Sequence, residues 1–190
     1  MLGKAEPLIG SAPVGPTTVA RLQKYAGKLP HVRFGSTETC LQVIGTPMSH
    51  NPEEKLEAFK AGWNHTWKEE PQVGYYIGRE HAPHTYIKIV KSVKKDDEKY
   101  MEQVAEGEPG ILICRGSNVM TRYVKNEEAT MKAIHAYDGQ DWYTAFGDIC
   151  YFLKDASDGG ENVYWQSRDS AMLIRGGANY AYEQVQLEIN

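Results

Sequence analysis

The stretch ICYFLKDASDGGENVYWQ, residues 149–166, contains two short runs of apolar and aromatic residues with a turn between them. Ile149–Leu153 and Asn162–Gln166 each predict a strand, because short runs of such side chains are typical of strands in a sheet. Between them, residues 155–160 are Asp, Ala, Ser, Asp, Gly and Gly, which favour a tight turn. This stretch therefore predicts a β-hairpin.

Further strands are predicted on both sides of this hairpin. Ile111–Cys114 is an apolar run between glycines, and Tyr86–Val90 shows the clearest alternation of the region around it. Met172–Ile174 predicts a last strand. The highly charged residues Lys94–Ala105 indicate an exposed loop or turn between two of these strands. The middle of the chain is therefore predicted to be sheet.

Helices are predicted before and after these strands. Pro16–Tyr25 begins with proline and threonines, and Pro52–Trp67 carries apolar residues at intervals of three and four. Asn126–Ile134 begins with a capping residue and two acids. Apolar residues from Tyr182 to Ile189 predict a final helix. The expected architecture is mixed α+β, with an antiparallel or barrel-like central sheet flanked by helices.

Composition excludes several classes of function. The 190 residues include 41% hydrophobic and 24% charged residues, typical of a folded domain, and a formal net charge of −4. This acidic balance argues against nucleic-acid binding through bulk charge. No apolar run is long enough to cross a membrane, and three widely spaced cysteines fit a reducing compartment. We therefore expect a cytoplasmic protein without a membrane span.

A turn with the residues of a phosphate site lies near the N-terminus, where Gly35, Ser36, Thr37 and Glu38 follow Phe34. Small residues let backbone N–H groups and hydroxyls approach a phosphate, and the carboxylate can hold Mg²⁺. Such turns are common, so this stretch alone assigns no function.

An ordered set of further segments gives the turn a context. In order along the chain they are GSAP at 10–13, FGSTE at 34–38, GEPG at 107–110 leading to RGSNVMTRY at 115–123, WYTAFGD at 142–148, and SR at 167–168 leading to IRGGANY at 174–180. In this order and spacing they resemble the adenylate-forming superfamily of acyl-CoA synthetases, luciferases and peptide-synthetase adenylation domains. The resemblance runs from about Ile9 to the C-terminus.

The resemblance implies roles for individual residues. Ser11, Ala12 and Pro13 match an element that lies against adenine. Phe34 matches an aromatic residue that stacks on adenine, Thr37 a contact to the α-phosphate, and Glu38 a ligand of Mg²⁺. Gly35 and Ser36 complete the phosphate turn, while Asp148 and Arg168 match residues that contact the ribose. Thr37 and Glu38 would be the catalytic residues, and ATP or AMP with Mg²⁺ the cofactors.

The chain also departs from the family pattern. Phe146 stands where a threonine is usual, Ser167 replaces a glycine, and Ser170 replaces the Asp or Lys of the hinge between the large and small domains. The phosphate-binding loop that precedes Gly10 in the family, and the lysine of its small domain, are both absent from the 190 residues. The expected divisions are therefore residues 1–50 as the end of the large nucleotide-binding subdomain, 51–166 as a β-rich subdomain, and 167–190 as the hinge and the start of a truncated C-terminal domain.

Three functions fit these observations. The first hypothesis is that the chain is part of an ATP-dependent acid–CoA ligase that forms acyl-AMP, with CoA as acceptor and fatty acid metabolism as its expected setting, and is inactive without a complementary protein half. Alternatively it is a non-catalytic structural or interaction protein packed against a partner, or a small nucleotide sensor. For Phe34 and Asp148 the plain alternatives are core packing and a strand-end cap. His81, His84 and Cys40 indicate no metal site and no nucleophile.

Overall fold

The computed structural model describes residues 5–168 in full and the backbone of residues 172–175 and 178–181. The described residues form three α-helices: α1 (Pro16–Ala26), α2 (Pro52–Trp63) and α3 (Glu127–Ala133). A short 3₁₀ helix spans Thr37–Thr39. The strands are β1 (Leu8–Gly10), β2 (His31–Phe34), β3 (Ile44–Gly45), β4 (Thr66–Trp67), β5 (Glu70–Pro71), β6 (Tyr75–Glu80), β7 (Thr85–Val90), β8 (Gly110–Gly116), β9 (Ile134–Tyr137), β10 (Gln140–Tyr143), β11 (Asp148–Lys154), β12 (Glu161–Arg168), β13 (Met172–Arg175) and β14 (Ala178–Ala181).

One ten-stranded sheet carries the fold. Its strands lie in the order β1-β2-β3-β6-β12-β11-β8-β10-β9, with β7 paired to the other edge of β8. The hairpin predicted from residues 149–166 is confirmed, because β11 and β12 pair antiparallel from Asp148↔Arg168 to Lys154↔Glu161. The predicted mixed α+β class is confirmed as well. In the described residues the sheet stays open, so the barrel-like character does not extend to a closed barrel.

The three helices predicted within the described residues form, α1 without a side-chain cap at its start and α2 and α3 with one. The Asn51 side chain accepts from the backbone N–H of Glu53 and Glu54, and the Asn126 side chain accepts from the N–H of Ala129. These side chains satisfy N–H groups that a helix start leaves without partners. The predicted final helix lies outside the described residues.

Helix α2 ends earlier than the apolar spacing predicts. It stops at Trp63, while Trp67 lies in β4, which forms a small hairpin with β5. The carbonyl oxygen of Gly62 accepts hydrogen bonds from Tyr151 Oη at 3.0 Å and from the N–H of Gly74 at 2.9 Å. These long-range contacts take a carbonyl that a longer helix would use internally, so the extension to Trp67 was wrong.

Aromatic side chains fill the core between α2 and the hairpin. The rings of Tyr151 and Tyr164 stack with centroids 5.1 Å apart, and Tyr76 meets Tyr164 at 5.8 Å. All three tyrosines are fully buried, and Phe59 from α2 packs edge-on against Tyr76. Tyr76 and Tyr164 are therefore core residues. A second apolar cluster lies around Val90, Ile113 and Trp142.

A guanidinium holds the turn of the central hairpin. Arg79 on β6 donates to Asn162 Oδ1 at 2.7 Å, to Asp158 Oδ2 at 2.6 Å and to Asp155 Oδ2 at 2.9 Å. Burial alone would raise the pKa of Asp155, but hydrogen bonds from Ser157 and Asn162 and the charge of Arg79 lower it to about 2. The turn is therefore bound to a strand from an earlier part of the sheet by an ionised carboxylate.

This carboxylate should make the fold sensitive to acid. A pKa lowered by folding contributes stability above the unfolded value, near 3.8, that is lost as the pH falls through the folded value. We expect the free energy of unfolding to fall by about 2 kcal/mol between about pH 5 and pH 2 through this group. Urea unfolding across that range should show the full loss in the wild-type chain and in Asp96→Asn, an exposed control, and a loss smaller by about 2 kcal/mol in Asp155→Asn. An equal acid loss in Asp155→Asn would contradict the assignment.

Candidate functional site

The turn after β2 has a fixed backbone. A Cβ atom on Gly35 would lie 2.5 Å from the carbonyl oxygen of Leu41, so only glycine fits this close approach. The N–H of Ser36 donates to Thr39 Oγ1 at 2.8 Å, and the N–H of Thr39 donates to the carbonyl of Ser36 at 3.2 Å. Thr37 is exposed at the start of the 3₁₀ helix. The predicted turn is therefore a short capped helix that presents Thr37 to solvent.

Glu38 is held in this turn as a half-buried carboxylate. A hydrogen bond from its own backbone N–H, joined by the hydroxyls of Ser36 and Tyr123, lowers the pKa of Glu38 although burial opposes the shift. Tyr123 Oη donates to Glu38 Oε1 at 3.0 Å across 85 positions of sequence. The carboxylate is therefore ionised at neutral pH and oriented from two sides.

An aromatic group lies beside the turn. The ring of Phe34, half-buried at the end of β2, lies 5.6 Å from that of Phe146, with the rings tilted by 49°. Phe146 in turn meets Tyr143 edge-on at 4.9 Å. Burial, with the charge of Glu38 as a further cause, raises the pKa of Tyr143. Phe34, Phe146 and Tyr143 therefore connect the turn to the segment that leads into β11.

Asp148 begins β11 and is only 3% exposed. Its Oδ1 accepts from Trp165 Nε1 at 2.7 Å and lies 3.4 Å from Nε of Arg168, its cross-strand neighbour. Burial raises the pKa of Asp148, while Trp165 and Arg168 oppose the shift. Arg168 is largely exposed, so the pair opens to solvent on the arginine side.

The residues Ser11, Ala12 and Pro13 form an exposed turn directly after β1. β1 and β2 are parallel, with Gly10 opposite Arg33. Parallel strands end at the same edge of a sheet, so this turn and Phe34 lie at neighbouring strand ends. Ser11 has a φ of 64°, a left-handed conformation that is uncommon for a residue other than glycine.

The structure brings most of the predicted residues to one region. Phe34 contacts Phe146, which lies two residues before Asp148, and Tyr143 connects these residues with Glu38. Arg168 lies against Asp148, while Ser170 lies outside the described residues. The sequence did not identify Tyr123, Tyr143 or Trp165 as members of the site. Tyr123 is the last residue of the segment 115–123, and Trp165 lies in a predicted strand. Sequence spacing alone predicted no hydrogen-bond partner for either residue.

Other features lie away from this region. A groove of about 680 Å³ between β6, β7 and β10 is lined by both positively and negatively charged side chains. In it, Lys88 Nζ lies 4.9 Å from the centroid of the Trp142 ring. His81 Nε2 lies 2.8 Å from Gln42 Nε2. Among the described residues no group of three His, Cys, Asp or Glu side chains could hold a metal ion, and no helix is long and apolar enough to span a membrane.

The single carboxylate of Glu38 is suited to bind Mg²⁺ together with ligands from a bound substrate. Magnesium is commonly held by one or two carboxylates together with phosphate oxygens of a bound substrate, rather than by protein ligands alone. Glu38 supplies one ionised carboxylate beside a turn of small residues. This donor set fits a magnesium ion that arrives with a nucleotide.

A profile of the AMP-binding enzyme family matches residues 2–124. This is more than half of the 190 residues, and the chain therefore belongs to the AMP-binding enzyme family. The resemblance that the ordered segments indicated is confirmed by this match. The match ends before Asp148 and Arg168.

A related protein of Bacillus subtilis (strain 168), "Putative acyl-CoA synthetase YngI", is 35% identical over 97 residues. The alignment covers 51% of this chain and 15% of that protein. The chain therefore matches about one seventh of the length of this relative.

Two solved structures show the same fold over nearly all of the chain. ATP-bound MatB from Rhodopseudomonas palustris is similar with a TM-score of 0.67 and 20% identity, over 96% of this chain and 29% of MatB. O-succinylbenzoate coenzyme A synthetase (MenE) from Bacillus subtilis, in complex with ATP and magnesium ion, has a TM-score of 0.62 and 22% identity, over 95% of this chain and 31% of MenE. The chain spans less than a third of either structure.

Proposed function

We propose that this chain is the part of an ATP-dependent acid–CoA ligase that binds the adenosine and Mg²⁺–phosphate portions of ATP. In such a ligase a carboxylate attacks the α-phosphate to form acyl-AMP and release pyrophosphate, and the thiol of CoA then attacks the acyl carbon to form the thioester and release AMP. Family membership, the alignment to YngI and the ATP-containing relatives support this proposal. The rest of the active site would come from sequence or a protein half outside these 190 residues.

The observation that carries the proposal is the buried carboxylate of Asp148. A carboxylate that is 3% exposed and has a raised pKa is costly to keep ionised at a strand end. Its Oδ1 is occupied by Trp165 and Arg168. A carboxylate has about four acceptor positions, so acceptor capacity remains for the two hydroxyls of a ribose. Such costly placement of an acid is typical of functional sites.

Each further residue has a defined role in this proposal. The ring of Phe34 stacks on adenine, with Ser11, Ala12 and Pro13 on the neighbouring strand end. Gly35, Ser36 and Thr37 present N–H and hydroxyl groups to phosphate oxygens. Glu38 holds the Mg²⁺ that neutralises phosphate charge when it is bound, and Arg168 joins Asp148 at the ribose. These residues position the nucleotide and neutralise phosphate charge. Catalysis of phosphoryl chemistry depends mostly on these two effects.

The alternative is a non-catalytic protein that kept the fold and binds a partner. Exposed apolar side chains next to the turn favour it, since Leu41 is 64% and Val124 is 85% exposed. Such residues can contact another protein or another part of a ligase. A folded chain that binds no nucleotide would support this alternative.

Phe34→Ala tests the adenine contact. Stacking of a base on an aromatic ring contributes about 1–3 kcal/mol, so affinity for ATP–Mg²⁺ should fall roughly 5- to 150-fold. Calorimetric titration with ATP–Mg²⁺ and with a non-hydrolysable acyl-adenylate mimic measures the change. Tyr25→Ala removes an aromatic ring that is 75% exposed on α1 and should leave both affinities unchanged. Equal affinities for Phe34→Ala and the wild-type chain would reject the stacking role.

A further inference from the structure

The segment that follows β8 lies directly on the turn that carries Glu38. Asn118 Nδ2 donates to the carbonyl oxygens of Thr39 at 3.0 Å and of Gln42 at 2.8 Å. The N–H of Met120 donates to the carbonyl oxygen of Glu38 at 2.7 Å. Three backbone carbonyls of the turn are therefore bound by a segment about 80 residues further along the chain.

Tyr123 ends this segment and reaches the Glu38 side chain itself. Its hydroxyl donates to Glu38 Oε1 at 3.0 Å, and its backbone N–H donates to Thr130 Oγ1 on α3 at 3.0 Å. Thr130 Oγ1 in turn donates to the carbonyl of Asn126, the residue that caps α3. Tyr123 is thus anchored on a helix while its side chain fixes one oxygen of the carboxylate.

Tyr143 is the next aromatic hydroxyl along this part of the fold, and its Oη donates to the carbonyl oxygen of Ala145 at 3.3 Å. Burial raises the pKa of Tyr143, and the charge of Glu38 is a further cause. Tyr143 is 3% exposed and belongs to the main core cluster. Tyr143 is therefore part of the core, and Tyr123 packs against that core as a half-buried side chain.

We propose that Tyr123 is a positioning residue that holds the Glu38 carboxylate in the orientation needed to bind Mg²⁺ on a nucleotide. It acts through Glu38 and touches neither the metal nor the nucleotide. This inference rests on the proposed function, since it assigns a metal to Glu38. The bond to Oε1 leaves acceptor positions on the carboxylate for a cation. Removal of the hydroxyl leaves only the contacts with Ser36 and the backbone, so the carboxylate samples more orientations and the metal must then order it on binding.

Tyr123→Phe tests this role by its dependence on magnesium. The variant should bind ATP–Mg²⁺ on the order of tenfold more weakly than the wild-type chain. Its affinity for ATP in the presence of a chelator should stay within about twofold. Tyr100→Phe, which removes a hydroxyl that contacts His135 Nδ1 at 3.2 Å in another part of the fold, should change neither affinity. A Tyr123→Phe variant that loses both affinities equally would overturn the positioning role and indicate a structural one.

A second measurement needs no nucleotide and separates this inference from the proposed function. Thermal unfolding midpoints are compared for Tyr123→Phe in the wild-type background and in Glu38→Ala. If the hydroxyl acts through the carboxylate, the substitution lowers the midpoint in the first background and leaves it unchanged in the second. Equal shifts in both would overturn the contact. A wild-type chain that shows the coupling but binds no ATP–Mg²⁺ overturns the metal role together with the proposed function.

Discussion

Asp148→Ala should abolish measurable ATP–Mg²⁺ binding while the chain remains folded. A hydrogen bond to a charged acceptor contributes about 1.5–3 kcal/mol, and the proposal gives Asp148 two such bonds to ribose hydroxyls. Their loss corresponds to a reduction in affinity on the order of 100-fold or more. The substitution leaves Trp165 Nε1 without its acceptor, but it also removes a carboxylate whose burial is unfavourable. Calorimetric titration measures the affinity, and circular dichroism monitors the fold.

Two variants separate the ribose contact from general damage. Asp148→Asn keeps an acceptor oxygen for Trp165 but presents one acceptor and one donor group in place of two acceptors, so it should bind with intermediate affinity. Asp141→Ala removes an exposed carboxylate on β10 and should bind like the wild-type chain. Retention of wild-type affinity in Asp148→Ala would favour the plain interpretation of Asp148 as a strand-end cap.

Gly78→Ala should prevent stable folding. Gly78 has a φ of 104°, and a Cβ atom there would overlap the backbone of Gly45 and Thr46. β3 pairs with β6 at this crossing, and β6 also pairs with β12 beside an irregularity at Val163. Neither backbone can move without breaking pairs on both sides, so we expect a loss above about 4 kcal/mol. Thermal unfolding should show a midpoint lowered by roughly 10 °C or more, or no cooperative transition.

Gly139→Ala is the matched control for backbone conformation. Gly139 also has a positive φ, 70°, but an added Cβ atom there would meet nothing within 4 Å. Its cost should be limited to the strain of a left-handed residue, about 1–2 kcal/mol. The difference between the two variants isolates the steric contribution of the β3–β6 crossing. Similar midpoints for the two variants would show that conformation, and not contact, requires glycine at 78.

The predictable part of the candidate site is the part that lies close together in sequence. The turn from Gly35 to Glu38 carries its own capping interactions, so its residue types indicated its chemistry. Asp148 and Arg168 were paired only through the family resemblance, and β11 and β12 place them in register. Their assignment to ATP remains a prediction.

The partners that orient these residues were not predictable from spacing. Tyr123 lies 85 positions from Glu38, and Trp165 lies 17 positions from Asp148 on the other strand of the hairpin. A tyrosine at the end of a loop and a tryptophan in a strand are both interpreted as packing residues when no neighbour is known. Only the fold of the intervening chain supplies that neighbour.

By itself the sequence determined the elements whose stabilising contacts are local: the helix α1, the capped helix α3, the β11–β12 hairpin and the turn after β2. Periodicity, caps and turn residues act over a few positions, and therefore a linear pattern is enough to predict them. The tertiary structure decided where α2 ends, which strands pair across the open sheet, and which hydroxyl reaches Glu38. Those outcomes depend on burial and hydrogen bonds between distant residues, such as Tyr151 with Gly62, and these contacts exist only once the chain has folded.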